Sequence, residues 1–304
     1  MRSDVPSGRR ILALTVLLLL ATAFPLVGTA AAEHKTPTFT PVSFEFTTDT
    51  TIEEGYAWVD ADGYHWRDTV YTGAATGDLA GEAVTLLNGD FQANSDCTDP
   101  TCDGDWTRGV LNMWGNLEIT HDTGSWAGSF GYYLNEGGDQ LGSIFLVGHQ
   151  AYGGQAVYGD LGAPTATSYT STGQKLAMSG ATGGITFLFD ACIPELGDVG
   201  GGFIVEAGTF SDSGSVVSHY PLAQPGGVSA GGVTMTGQHG SLDAVLLLQV
   251  HGQHRIGYFM LMGGDGAYEH TYGFGWVRTS RWDNPNCPSG LGVGGNWIGE
   301  STAF

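Results

Sequence analysis

The run Leu111-Asn-Met-Trp-Gly-Asn-Leu-Glu-Ile-Thr120 alternates with a period of two: Leu111, Met113, Leu117 and Ile119 fall on one face, and Asn112, Asn116 and Glu118 on the other. Successive side chains of a strand point to opposite sides of the sheet, so the pattern is that of a half-buried strand. After the turn His121-Asp-Thr-Gly124 the alternation resumes, and Trp126, Gly128, Phe130, Tyr132 and Leu134 share a face. Two such runs joined by a short Asp/Gly-bearing loop form a β-hairpin. Tyr56-Ala-Trp-Val59 and Tyr64-His-Trp66, flanking Asp60-Ala-Asp-Gly63, make another. Beyond residue 32 no segment carries a capped apolar stripe of period 3.6, so little helix is expected and the chain reads as all-β.

The N-terminus reads differently. Arg9 and Arg10 precede an apolar run from Ile11 to Val27, and Ala30-Ala31-Ala32 is followed at once by polar Glu33-His34-Lys35. A basic stretch, an apolar stretch and an A-x-A site predict a secretory signal peptide over residues 1–32. An uncleaved anchor helix is the alternative; Pro25 and the alanine cluster favour cleavage. The paired arginines also allow twin-arginine export. No later stretch is apolar enough to span a membrane as a helix, and the expected location is secreted, extracellular or at the cell surface.

The remaining length, about 270 residues, suffices for two domains or one large β domain. Glycine is 50 of 304 residues and has no G-X-Y period, which excludes collagen. An apolar share of 41% with 8 Trp, 12 Tyr and 14 Phe excludes simple disorder. Acidic residues number 31 against 10 Lys plus Arg, a formal charge of −21. That balance argues against nucleic acid or anionic lipid as a partner, because phosphate contacts need positive charge. It fits either a solvated acidic surface or adaptation to high salt, where cations screen carboxylate repulsion.

Four cysteines in an exported chain read as disulfides rather than as a metal site, and no paired C-x-x-C units are present. Cys97 and Cys102 bracket the turn sequence Thr-Asp-Pro-Thr, so a local clasp is expected there, which leaves Cys192 with Cys287. Four cysteines allow three connectivities, and this is the one expected.

The two halves repeat. Leu117–Trp126, then Leu141–Gly148 and His149-Gln-Ala-Tyr152, align with Val233–Leu242, then Ile256–Gly263 and Gly264-Asp-Gly-Ala-Tyr268. The separation of about 115 residues suits tandem domains rather than a solenoid. Ala163-Pro164-Thr-Ala-Thr-Ser168 is the linker candidate, which divides the chain into 33–163 and 164–304. One large closed barrel built from both repeats is the alternative.

Gly264-Asp-Gly-Ala-Tyr268 after an apolar strand, with Ala207-Gly-Thr-Phe-Ser-Asp-Ser-Gly214 before it, resembles secreted proteins of the allene oxide cyclase-like β-barrel group. Thr76–Gly81, Gly124–Gly128 and Gly148–Tyr152 carry the same likeness into the first half, and together these stretches cover about half of the exported part. The resemblance implies two tandem small antiparallel β-barrels. It transfers no activity, because no catalytic residue of the cyclase matches a position here. His149-Gln150 departs from the Asp265-Gly266 form.

The polar candidates have modest patterns. His251-Gly-Gln-His254 lacks a third metal ligand, and His149 and His270 flank the Ala-Tyr motifs as loop histidines. Asp60–Gly63 and Asp96–Asp105 space oxygen ligands closely without an EF-hand pattern, and aspartate and glycine are also turn residues. Ser215 and His219 are neighbours in sequence without a nucleophile motif. Glu118, Glu206, Asp243 and Glu269 lie in or beside predicted strands; a carboxylate inside a barrel has a raised pKa and serves as a general acid or base. Outward-facing carboxylates are the alternative, and the alternation puts Glu118 among them. No cofactor is implied and no catalytic residue is assigned. Three functions follow: a binder of a small apolar ligand, a cyclase or isomerase of the resembled kind, and a surface or matrix protein with filled barrels.

Overall fold

The computed structural model describes residues 37–60, 63–93, 109–134, 140–165, 167–178, 182–192, 199–219 and 228–302. Among them the only helical element is one 3-10 turn at Gly266–Tyr268; the rest of the regular structure is strand. The first ten strands are β1 (Thr38–Thr47), β2 (Thr50–Glu53), β3 (Tyr56–Asp60), β4 (Gly63–Gly77), β5 (Gly81–Ala93), β6 (Gly109–His121), β7 (Gly124–Leu134), β8 (Gln140–Gln150), β9 (Gln155–Leu161) and β10 (Ser168–Ala177). Strands β4 to β10 pair in sequence order as antiparallel neighbours, and β1 takes its place beside β10. Phe44–Phe46 of β1 also pairs with Ala75–Gly77 of β4, so the sheet returns on itself as a ring of eight. Strands β2 and β3 hang on the outer half of β4 and lie off the ring.

The second set is β11 (Gly183–Cys192), β12 (Val199–Ala207), β13 (Phe210–His219), β14 (Val228–Gly237), β15 (Ser241–His251), β16 (His254–Gly264), β17 (Tyr272–Asp283) and β18 (Leu291–Ser301). These form a closed antiparallel barrel. The segment after Arg281 ends β17 and supplies β18, which closes the ring against β11 over ten residues. The rings match strand for strand, β1 with β11, β4 with β12, and onward to β10 with β18. The β2–β3 hairpin is what the first ring has in addition. Each repeat therefore closes on itself, and a single barrel shared by both is excluded.

The division expected near residue 164 is displaced. Every residue of β10 pairs with β1, and seven also pair with β9, so the first barrel runs to Ala177 and the second starts at Gly183. The segment 163–168 has a linker's composition because it turns: the Thr165 N–H donates to the Ser168 carbonyl at 2.9 Å. Small polar residues serve tight turns and linkers alike.

Each barrel has its own apolar interior, with Phe46, Phe130, Ile144 and Leu146 in the first and Phe187, Leu246, Phe259 and Trp297 in the second. A third apolar cluster lies between the barrels and joins Trp114, Phe145 and Leu176 to Leu247 and Met260. Phe145 stacks on Tyr258 at 5.3 Å, and Gln249 Nε2 donates to the Gly115 carbonyl at 2.6 Å. The polar face expected for Asn112 is corrected: it is 2% exposed, because both faces of β6 are covered over residues 111–115.

Cys192, the last residue of β11, is bonded to Cys287 in the β17–β18 connection. The expected pair Cys97–Cys102 lies outside the described residues. No helix among the described residues is long and apolar enough to cross a membrane.

Candidate functional site

The two barrels differ most at one end. In the first, the interior opens into a cavity of about 960 Å³; in the second, a void at the matching end is about 30 Å³. Phe189, Leu248, Val293 and Trp297 fill that end of the second barrel. Its rim is drawn in by the Cys192–Cys287 bond and by the tight His251–His254 hairpin. In the first barrel the corresponding β1–β4 connection is long enough to hold β2 and β3. Glu54 to Ala57 of that excursion make one wall of the mouth, and 163–165 with Thr167 make the other.

A bulge in β4 aims the lining. Tyr64 and Trp66 face the cavity, the register to β5 then slips between Trp66 and Thr69, and Thr69 and Tyr71 face inward again. A strand without the extra residue would turn Thr69 and Tyr71 outward, since side chains alternate. Asp68 takes the bend with a left-handed backbone, φ 59°, and its N–H donates to Asn88 Oδ1 at 3.0 Å. Tyr132 and Met113 come from β7 and β6, and Tyr169 from β10. Tyr169 stacks on Phe46 at 4.8 Å and points its hydroxyl at Met113 Sδ, 3.6 Å away.

Burial dominates the electrostatics of these phenols. It pushes Tyr169 up to about 12, with the nearby Tyr71 adding to the effect and a hydrogen bond to Thr48 opposing it. Burial also raises Tyr71, helped by Tyr64, and raises Tyr132. All three are neutral hydroxyls at neutral pH. Among the described lining residues there is no Lys, Arg or His, and the one carboxylate is Glu54, exposed at the mouth.

The residues of β4 that point away from the cavity fasten the excursion. One ring nitrogen of His65 lies 2.6 Å from Asp90 Oδ1 on β5, and the other 3.0 Å from Asp60 Oδ1 on β3. A neutral imidazole donates from one nitrogen only, so the doubly protonated ring suits this bridge best. Burial works against the charged form, but the hydrogen bonds to Asp90 and Asp60 and their charges outweigh it and raise the His65 pKa. Arg67 adds a 2.6 Å contact to Asp90 and lies over the rings of Trp58 and Trp114. Gly55 carries the excursion against β4: a Cβ there would sit 1.8 Å from the Arg67 carbonyl oxygen.

The second barrel has a buried polar centre at its other end. Asp212, 4% exposed, accepts the backbone N–H groups of Ser213, Gln238 and His239 at 2.7–3.1 Å and the Tyr268 hydroxyl at 2.8 Å. Burial alone would raise its pKa; the four donors together lower it. Tyr268 is raised by its own burial and by the Asp212 charge. This network ties the β13, β14–β15 and 3-10 segments.

The polar residues singled out in the sequence do not converge. Glu118, Glu206, Asp243 and Glu269 are all exposed, and Asp243 accepts from Thr234 Oγ1 at 2.8 Å. The inward placement considered for Glu206, Asp243 and Glu269 is thus corrected: apolar positions that alternate with Glu206 and Asp243 hold the interior, and Glu269 ends the 3-10 turn, whose Tyr268 is the buried residue. His149, His251, His254 and His270 are exposed, and His254 contacts Ser280 Oγ at 2.8 Å. Ser215 is exposed on β13, and the side chain of His219 lies outside the described residues. Asp60 accepts from Trp58 Nε1 at 3.0 Å within its hairpin, while Asp96–Asp105 fall outside the described residues. No group of three or more His, Cys, Asp or Glu among the described residues is placed to hold a metal ion. Of the aromatic lining, Tyr132 was signalled by its place on the apolar face of β7, and Tyr64 and Trp66 only as members of a hairpin strand. The bulge at Asp68 and the buried Asp212 carried no signal beyond ordinary turn composition.

No protein-family model matches the sequence, and no curated protein matches it.

Proposed function

We propose that this is an exported protein whose first barrel binds a small apolar ligand, while its second barrel is a filled support. The observation that carries the reading is the contrast between a cavity of about 960 Å³ and a void of about 30 Å³ at matching ends of two rings with one strand plan. A concave site with aromatic and aliphatic walls and a few polar groups is the usual form of a small-molecule pocket. The Cys192–Cys287 bond fits an oxidising compartment and supports export.

A cyclase of the resembled allene oxide cyclase-like kind would use the same cavity and would need an ionisable group held inside it. The tyrosines facing the cavity are raised by burial and the carboxylate at its mouth is exposed, so binding without turnover is the better supported reading. A structural role with filled barrels suits the second ring only.

The test is native mass spectrometry of the disulfide-intact protein purified from its own host, followed by titration with a neutral amphiphile such as decanol. A bound small molecule lost on denaturation, or saturable one-site binding of decanol, is expected. Leu87→Trp, which narrows the cavity, should weaken either without lowering the unfolding midpoint. A clean apo mass together with no decanol binding sinks the reading.

A further inference from the structure

Resting on that cavity as the ligand site, we infer that it selects by charge: its ligand is an amphiphile with a neutral or cationic head, such as an alkyl or aryl ammonium, and fatty-acid-like anions are excluded. The walls are the first reason. Tyr64, Trp66, Tyr71, Tyr132 and Tyr169 all border the cavity, and an aromatic ring face carries the negative end of its quadrupole. A cation over such a face is attracted, most strongly where water is excluded, and an anion is repelled.

The rim is the second. Glu54 stands on the β2–β3 wall, the part of the lining nearest solvent, where a polar head would rest while an apolar tail fills the barrel. Its backbone is held in place by the close approach of Gly55 to the Arg67 carbonyl. An anion would meet this carboxylate with no cation among the described lining residues to offset it. Arg67, next to Trp66 in sequence, is turned to the outer face and engaged by Asp90 at 2.6 Å. Lys175 lies near the far end of β10, away from the mouth-side Tyr169.

The whole molecule is the third. A formal charge of −21 sets a negative potential that a cleft with low-dielectric walls focuses, and approaching cations gain from it while anions lose. The tyrosine hydroxyls leave room for a neutral head, because they donate and accept without charge.

Three single-chain probes of equal length separate these effects: decyltrimethylammonium, decanol and decanoate, each below its micelle concentration, titrated calorimetrically at about 0.1 M salt, where the Debye length is near 10 Å. The ammonium should bind at one site, about tenfold or more tighter than decanoate, with decanol between them, and decanol should displace it. Displacement by the neutral probe separates the cavity from adsorption to the acidic surface. Glu54→Gln should narrow the ammonium-to-decanoate ratio about threefold. Equal affinities, tighter decanoate, or ammonium that decanol fails to displace would overturn charge selection while leaving the cavity as a binding site. Failure of all three probes, decanol included, would remove the site itself.

Discussion

Gln150 and Gly266 occupy the same place in the two repeats, just before Ala151-Tyr152 and Ala267-Tyr268, and both have a left-handed backbone, φ 57° and 59°. A side chain makes that conformation unfavourable by about 1–2 kcal/mol, whereas glycine adopts it freely at an entropic disadvantage of about 0.4–1 kcal/mol in the unfolded chain. The surroundings also differ. A Cβ at Gly266 would lie 2.3 Å from the His239 carbonyl oxygen, a backbone atom that cannot step aside alone, whereas the turn at Gln150 already holds a side chain that is exposed. Gln150→Gly should therefore stabilise the protein by about 0.5–1 kcal/mol, and Gly266→Gln should destabilise it by more than about 2 kcal/mol. Urea unfolding of the two variants checks the opposite signs; the same sign for both would show that the turns are not equivalent. The repeat pairing of these residues was readable in the sequence, but the φ values were not. A Gln-for-Gly exchange in a turn reads as tolerance until the backbone shows that it is strain.

The β3–β4 hairpin was equally readable: Tyr56–Val59 and Tyr64–Trp66 alternate around an Asp-Gly turn, and the strands form as that pattern predicts. That the hairpin stands off the ring was hidden, because Tyr56 and Trp58 alternate like the aromatics of a barrel strand yet are 59% and 37% exposed. His65 fastens it, bonded to Asp60 of β3 within the hairpin and to Asp90 of β5, and no local spacing reports the second of these contacts. The fastening depends on pH. His65 is raised in the folded protein, so its contribution is fully present below the ordinary histidine value near 6.5 and is lost as pH rises through the folded value. Hydrogen exchange in segment 48–60, corrected for the intrinsic pH effect, should show stronger protection at about pH 5.5 than at about pH 8. His65→Gln should remove the difference. Protection that stays level across this range in the unsubstituted protein would show that Arg67 and Gly55 hold the excursion without the imidazolium. Because Glu54 to Ala57 form a wall of the cavity, ligand dissociation should quicken over the same interval.

At the scale of the molecule, one strand plan is used twice for different ends. All-β architecture, two rings and the Cys192–Cys287 bond follow from alternation, from the repeat and from cysteine placement. Which ring is hollow does not follow, because it depends on the length of one connection and on side chains that meet only after closure. Stability and binding are consequently separable. The second barrel's mouth is tied by a disulfide that joins residues 95 apart, and its interior is packed around Phe187, Phe259 and Trp297. A crosslink over such a loop contributes about 3–5 kcal/mol, chiefly by restricting the unfolded chain. The cavity lies in the other barrel, lined by residues between Thr48 and Tyr169. The double substitution Cys192→Ser with Cys287→Ser should lower the unfolding free energy by about 3–5 kcal/mol and leave the one-site affinity for decanol within about twofold. Calorimetric unfolding and titration of the same sample measure both. If affinity falls along with stability, the interface around Phe145, Tyr258 and Gln249 transmits the loosening of one barrel to the other. The two rings would then bind as a single unit, with the filled barrel holding the hollow one in shape.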